Sequence, residues 1–332
     1  MKLIVTIDTE ADNQWDHGRL LTTKNVAYWP PFQGLCEQYG IRPTYLITSE
    51  IATNPQAVGF LRPLIEADKA EVGAHLHPWT TPPYRDEPGL RFNDPLHAFP
   101  SELPTDLLRD KLETLTNQIE RAFKMRPTSY RAGRFGFNSV YAGILRKLGY
   151  RVDSSVTPLI SWKKTPGYRS GGPDFSHEKI FPYCVGPDIG YQLLEMPVTI
   201  LFTNVILYKF PCLQPVYHVL QKFQSNRLLH LDLIAPQPLW MRPFRGTTLK
   251  HLISVWRAAE KLGLQNVIMM FHSSELMPGA SIYRPDNKSV IQLLGLLEDF
   301  YKFMAAENAE GVTLTDASVT YPPLIKDKVL CA

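Results

Sequence analysis

The 332-residue chain predicts an α/β fold in which parallel strands alternate with helical crossovers and curl into a closed or partly closed barrel. Three observations lead there. Short runs rich in β-branched and aromatic residues recur along the chain. Longer segments with apolar residues at helical spacing lie between them. About seven or eight such strand–helix units fit the length. An open doubly wound sheet is the competing arrangement, and in both folds functional side chains collect at the carboxyl ends of strands.

The strand runs are KLIVTI (Lys2–Ile7), PTYLIT (Pro43–Thr48), AEVGAHLH (Ala70–His77), TSYRAG (Thr128–Gly133), YRVDSSV (Tyr150–Val156), LLEMPVTI (Leu193–Ile200), NVIMMFHS (Asn266–Ser273) and GVTLTDAS (Gly311–Ser318). Helical periodicity joins Leu107, Leu108, Leu112, Leu115, Ile119 and Phe123. The same spacing joins Leu249 to Leu262 and Val290 to Phe303. Two stretches break the rhythm: residues 79–104, rich in Pro and Asp, and residues 157–192, rich in Pro, Gly and aromatics. Each follows a strand end, where long loops build or cover a site. With no repeat and no clear linker, residues 1–332 read as a single catalytic domain carrying two inserted loops.

Composition narrows the function classes. The apolar fraction is 44%, the charged fraction 20% and the net charge +3, which allows a full core and argues against a nucleic-acid surface. Cys36, Cys184, Cys212 and Cys331 show no paired spacing, so free thiols in a reducing compartment are expected. No stretch is long enough for a membrane span, and the opening apolar run stops at Asp8, too short for an export signal. A cytoplasmic location follows as an expectation.

Chemistry concentrates at strand ends. Asp8 and Glu10 close the first run (TIDTE), and side chains two apart on a strand share a face. His75 and His77 repeat this geometry on the third run. Imidazoles suit zinc and related divalent ions, and a carboxylate often completes the set. The carboxylates that end the first run would point into the same mouth, and three protein ligands would leave a coordination position open for water. In YRAGRFGFN, Arg131 and Arg134 flank Gly133, and an arginine there can orient a carboxylate through paired hydrogen bonds. His272 ends the buried run Val267–Phe271, a place suited to proton transfer near neutral pH.

In this order, an acidic motif, a histidine motif after Glu-Val-Gly, an arginine motif and a late strand ending in histidine, the chain resembles the polysaccharide deacetylase (NodB-homology, carbohydrate esterase family 4) superfamily. The resemblance spans Lys2 to Leu276. It implies a deformed (β/α) barrel of about seven parallel strands and hydrolysis of an acyl group, most simply an N-acetyl, from a sugar. It also implies a divalent metal, with zinc the first choice, Asp8 as general base, Arg131 orienting Asp8, His75 as the first metal histidine and His272 as the acid. The chain departs from the family pattern at three places. Thr9 stands where a second Asp is usual, so the D-x-E form makes Glu10 the metal carboxylate. Trp79 stands where the second histidine is usual, which leaves His77 as the replacement. RAGRF replaces R-P-P-Y, so Phe135 takes the place of the aromatic that lines the sugar, and Arg134 and Trp79 join it as candidate substrate contacts.

The expected substrate is an acylated sugar intermediate of surface-polysaccharide assembly, nucleotide- or lipid-linked, with Lys163, Lys164 and Arg169 available for a diphosphate. Two rivals remain at this point. One is a carboxylate-based glycoside hydrolase using Asp8 and Glu10 with Glu195 opposite. The other is a non-catalytic sugar-binding relative whose second motif has changed.

Overall fold

The computed structural model describes residues 1–12, 14, 20–186, 193–203, 208 and 238–321. Its main sheet runs in the order β10 (Asn266–His272), β1 (Lys2–Thr9), β2 (Thr44–Ile47), β3 (Glu71–Leu76), β4 (Ser129–Ala132), β5 (Val152–Asp153), β7 (Leu193–Glu195), β6 (Tyr183–Val185). The seven from β10 to β7 pair in parallel, and β6 lies antiparallel on β7. The short strand β11 (Glu310–Val312) pairs with the first half of β1, at Lys2–Ile4, while β2 pairs with Thr6–Thr9. The sheet curls back on itself. Beyond β7, Thr199 N donates to Ile268 O of β10 (3.3 Å), and Ile268 N donates to Thr199 Oγ1 (2.8 Å). Thr199 precedes β8 (Ile200–Leu201), which pairs antiparallel with β9 (Leu239–Trp240).

The central strands are buried on both faces, so they read as continuous apolar runs rather than alternating ones. Parity still separates the faces. Leu3, Val5 and Ile7 of β1 pack with Val72, Ala74 and Leu76 of β3 and with the surrounding helices. Ile4 faces inward with Val152, Met196 and Ile268, where Val312, Leu314 and Ala317 join them to plug the bottom of the barrel. Asp8 shares the inward face with Ile4, four residues below it.

The helices follow the expected periodicity. After α1 (Pro30–Gln38), α2 (Ser49–Ala52) and α3 (Pro55–Glu66), helix α4 (Thr105–Phe123) buries Leu107, Leu108, Leu112, Leu115, Ile119 and Phe123. Helix α5 (Ser139–Lys147) follows β4. Helix α6 (Leu249–Leu262) starts at a Thr248 cap and ends at Gly263 in left-handed backbone, and α7 (Asn287–Ala306) starts at an Asp286 cap.

Three local expectations change. GVTLTDAS is a strand only to Val312. The Thr313 side chain accepts from Asp316 N and opens helix α8 (Leu314–Ser318). LLEMPVTI breaks at Met196-Pro197 into β7 and β8, since proline cannot donate to a ladder. The second inserted loop contains β6, and its residues 187–192 lie outside the described set. Cys212 and Cys331 also lie outside it; Cys36 is a buried thiol. No described helix is long and apolar enough to cross a membrane.

Candidate metal centre and active site

Inward parity brings six of the expected residues to one place. Asp8 lies next to the end of β1, His75 lies near the end of β3, Arg131 lies on β4 and His272 ends β10; Glu10 and His77 lie just beyond their strands. The pairing register places Asp8 beside His272 and His75 beside Arg131. All six are buried.

Glu10, His75 and His77 form a cluster whose ligand atoms lie within 4.8 Å of one another. Glu10 Oε2 is 3.9 Å from His75 Nε2 and 3.4 Å from His77 Nε2. Zinc bonds of ~2.0–2.2 Å in a tetrahedron place ligand atoms about 3.4 Å apart, close to these spacings. The hydrogen bonds fix which nitrogen each ring offers. His75 Nδ1 donates to Arg131 O (2.9 Å), so its Nε2 carries the lone pair. Gln14 sets the second ring. Trp79 Nε1 can only donate, and does so to Gln14 Oε1 (2.9 Å), while Gln14 Nε2 donates to Glu50 Oε1 (2.8 Å). With the amide oriented in this way, His77 Nδ1 donates to Gln14 Oε1 (3.0 Å) and its Nε2 lone pair faces Glu10.

The electrostatics also suit a cation. Burial, then Asp8 and Glu50, push the Glu10 carboxyl well above the usual range, and its Oε1 has no hydrogen-bond partner among the described residues. Burial pushes the His75 imidazole down to about 4 and His77 well below its ordinary value. Two neutral imidazoles and a carboxyl destabilised by its surroundings fit a divalent ion.

Asp8 is set apart from Glu10 by Arg131. The fully buried guanidinium donates to Asp8 Oδ1 (2.7 Å) and is held in place by Ser154 O (2.7 Å) and Ser154 Oγ (3.1 Å). Burial alone would raise the Asp8 carboxyl. Arg131, His75 and His272 outweigh it and hold the group down to about 2. Its Oδ2 faces His75 Nε2 at 4.0 Å and His272 Nε2 at 3.9 Å. Arg242 NH2 lies 3.0 Å from His272 Nδ1, and an arginine can only donate. The ring proton of His272 is therefore on Nε2, facing Asp8. Glu275 Oε1, 3.5 Å from Nδ1 and bonded to Arg242 NH2 (3.1 Å), is the acceptor available if the ring takes a second proton.

Asp8, Glu10, His75, His77 and His272 line a cavity of about 420 Å³ together with Trp79, Arg134 and Phe135. Trp79 is 2% exposed and stacks between His77 (4.3 Å) and His97 (4.0 Å), backing the metal histidine as well as lining the cavity. Arg134 and Phe135 both take left-handed backbone (φ 52° and 59°), which stacks Phe135 on Trp162 at 5.5 Å. Arg134 donates to His97 O and to Pro166 O, joining the two inserted loops. Glu195 does not reach the cavity. Register aligns it with Asp153 and Tyr130, on the opposite sheet face from Arg131, and it accepts from Val156 N (3.0 Å). Of the basic loop residues, Lys163 pairs with Asp174 (2.8 Å) and Arg169 lies 5.2 Å over the Tyr168 ring. Gln14, Arg242 and His97 were not foreseen. They come from loops, and no spacing in the sequence ties them to the strand ends.

No protein-family model matches the chain, and no curated protein matches it. Solved structures do. A Mycobacterium smegmatis protein assigned as a polysaccharide deacetylase superposes with TM-score 0.53 at 14% identity, covering 98% of this chain and 94% of its own. A 4-α-glucanotransferase from Thermococcus litoralis gives 0.52 at 11% identity, over 98% of this chain and 39% of that one. A GH57 branching enzyme from Thermococcus kodakaraensis gives 0.52 at 10%, over 97% and 71%. The fold is thus the NodB-like curled, mainly parallel sheet that the motifs led us to expect. Enzymes of different chemistry share it, so function rests on the side chains.

Proposed function

We propose that the chain is a metal-dependent carbohydrate deacylase that removes an acyl group, most simply N-acetyl, from a sugar intermediate of surface-polysaccharide assembly in the cytoplasm. One observation carries this reading. The lone pairs of Glu10, His75 and His77 converge in a buried cavity that also holds an ionised Asp8 and a His272 Nε2–H. A divalent ion held by the three donors, zinc being our choice, would polarise the acyl carbonyl and acidify a water. Asp8 takes the proton of the attacking water, and Arg131 keeps Asp8 ionised and aimed. His272, once doubly protonated with its Nδ1–H facing Glu275, gives its Nε2 proton to the leaving nitrogen and returns to the neutral ring, and Arg242 and Glu275 hold that ring in place. Each proton-transfer role contributes about a hundredfold or more. Phe135, Trp162 and Arg134 line the side on which the sugar would lie.

A carboxylate-based glycoside hydrolase needs two carboxyls facing each other across the bond at about 5 Å or more. Glu195, the opposing partner, points to the other sheet face. A binding protein would have no use for the Asp8–His272 pair.

The test is acetate release by zinc-loaded protein from N-acetylglucosamine free, linked to a uridine diphosphate, linked to a lipid carrier, and in long polymer. Release from the monosaccharide forms is expected. Activity on polymer alone, or on none, refutes the reading.

A further inference from the structure

Glu195 faces away from the cavity, but it does not stand alone there. Register sets it beside Asp153 on the neighbouring strand, and both side chains are fully buried. Asp153 Oδ1 accepts from Ser155 Oγ (2.7 Å) and its Oδ2 from Ser155 N (3.0 Å), while Glu195 Oε1 accepts from Val156 N (3.0 Å). The two carboxyls are also hydrogen-bonded to each other, and two carboxylates have no proton to share, so one of them is protonated. That one is Glu195. Asp153 already receives two donors from Ser155, whereas Glu195 Oε2 has no other partner among the described residues. Burial and the facing Asp153 charge push the Glu195 carboxyl well up. The other ionisable groups around the pair are Arg131 and the phenols of Tyr130, Tyr141 and Tyr183, which burial keeps neutral.

The bonds lead back to the reacting groups. The Ser155 hydroxyl, fixed by Asp153, accepts from Ala132 N of β4 (2.8 Å). Between Asp153 and Ser155 lies Ser154, which supplies both oxygens that hold Arg131 Nε and NH2. Arg131 NH1 then donates to Asp8. Residues 154–156 lie beyond β5 and have no ladder of their own, so the carboxyls at 153 and 195 hold them on both sides of Ser154. We infer that Asp153 is a positioning residue for the reaction: locked by a proton on Glu195, it holds residues 154–156 so that Ser154 keeps the Arg131 fork aimed at Asp8. This deepens the deacylase reading and rests on it. The pair is chemically asymmetric. A glutamine at 195 offers the same two bonds, an amide oxygen to Val156 N and an amide N–H to Asp153. An asparagine at 153 turns an N–H toward Ser155, which needs an acceptor at both oxygens.

The experiment compares native protein, Asp153→Asn, Ser155→Ala, Glu195→Leu and Glu195→Gln, each zinc-loaded. Solvent exchange of the Arg131 Nε proton, followed by nitrogen NMR, reads the fork. Exchange about tenfold or more faster is expected in Asp153→Asn, Ser155→Ala and Glu195→Leu, with Glu195→Gln restored to the native rate. Acetate release from N-acetylglucosamine and its linked forms reads the reaction. We expect kcat to fall about tenfold or more in the same three variants, with KM and zinc content within about twofold of native, and Glu195→Gln to recover it. In an Arg131→Met background, Asp153→Asn adds less than about twofold, because its effect passes through the guanidinium. Ser155→Ala removes a single hydroxyl and guards against misfolding of the carboxyl variants. Fully additive losses in that background, losses that fall on KM or zinc instead of kcat, or a Glu195→Gln variant as impaired as Glu195→Leu would overturn the assignment while leaving the deacylase reading intact. If native protein releases no acetate from any of these sugars, the deacylase reading fails and exchange alone decides; an unchanged Arg131 Nε proton in Asp153→Asn and Ser155→Ala overturns the positioning role.

Discussion

Replacing Arg131 by Met isolates the feature that separates the two carboxylates of the site. Arg131 is fully buried and its fork meets Asp8 and Ser154. Lowering the Asp8 carboxyl from 3.8 to about 2 against the effect of burial favours its ionised form about 60-fold, ~2.5 kcal/mol. Without the guanidinium, Asp8 loses the strongest of its opponents to burial, and both Ser154 acceptors lose a donor. Removing one member of such a buried pair costs ~3–5 kcal/mol. The pH dependence gives the sharper signature. In native protein the depressed Asp8 contributes stability that is fully present above pH 3.8 and fades as pH falls toward about 2. In Arg131→Met the carboxyl moves up, so that contribution is lost and the stability difference between native and variant widens as pH rises from 2. Urea denaturation of the metal-free proteins across acid pH, with carbon NMR of the Asp8 carboxyl, measures both. A cost under ~1 kcal/mol, or a stability difference that is flat with pH, would refute the reasoning.

Other outcomes follow from the same geometry. His75→Ala and His77→Ala both lose stoichiometric zinc, and Gln14→Ala, which frees the His77 ring, weakens zinc about 10- to 100-fold by competition with a chelator. Full zinc retention in His77→Ala would remove His77 from the ligand set. Asp8→Asn and His272→Ala keep metal and fold but lose turnover by about a hundredfold or more, as read by acetate release. Gly133→Ala places a Cβ 2.3 Å from His77 Cδ2, so zinc binding weakens while circular dichroism stays native. Lys111, buried under the turn after His77 and bonded to Pro78 O and Thr81 O, is pushed by burial down to about 7. Its protonated form opposes folding, so native protein gains stability over Lys111→Met as pH rises from about 7 toward 10.5; a constant difference would show that Lys111 is not desolvated.

Much of the site was legible because strand chemistry repeats every two residues. Asp8 with Glu10, and His75 with His77, reveal a shared face before any contact is known, and strand ends in a parallel sheet meet at one mouth. Arg131 and His272 were readable for the same reason. The residues that complete the arrangement were not. Gln14 reaches His77 across 63 positions and Arg242 reaches His272 across 30, from segments with no period to announce them. The alternation in GVTLTDAS looked like a strand because hydropathy does not register a threonine hydroxyl, and it was the Thr313 cap that turned the chain into a helix. The loops were located from composition, but the contacts that join them leave no mark in it.

The unequal treatment of Asp8 and Glu10 has a consequence for the charge the site presents. Burial and the neighbouring Asp8 push the Glu10 carboxyl well up, while Asp8 is matched by Arg131. A divalent ion competes with protons for that carboxyl, so its affinity rises with pH. Arg242 is balanced by Glu275, so in the loaded pocket the two positive charges of the ion meet one carboxylate, Glu10, among its own donors. A neutral acyl group entering it gains little from that charge. The negative charge that develops as water adds to the carbonyl gains much more, and the difference is paid out only on the way to reaction.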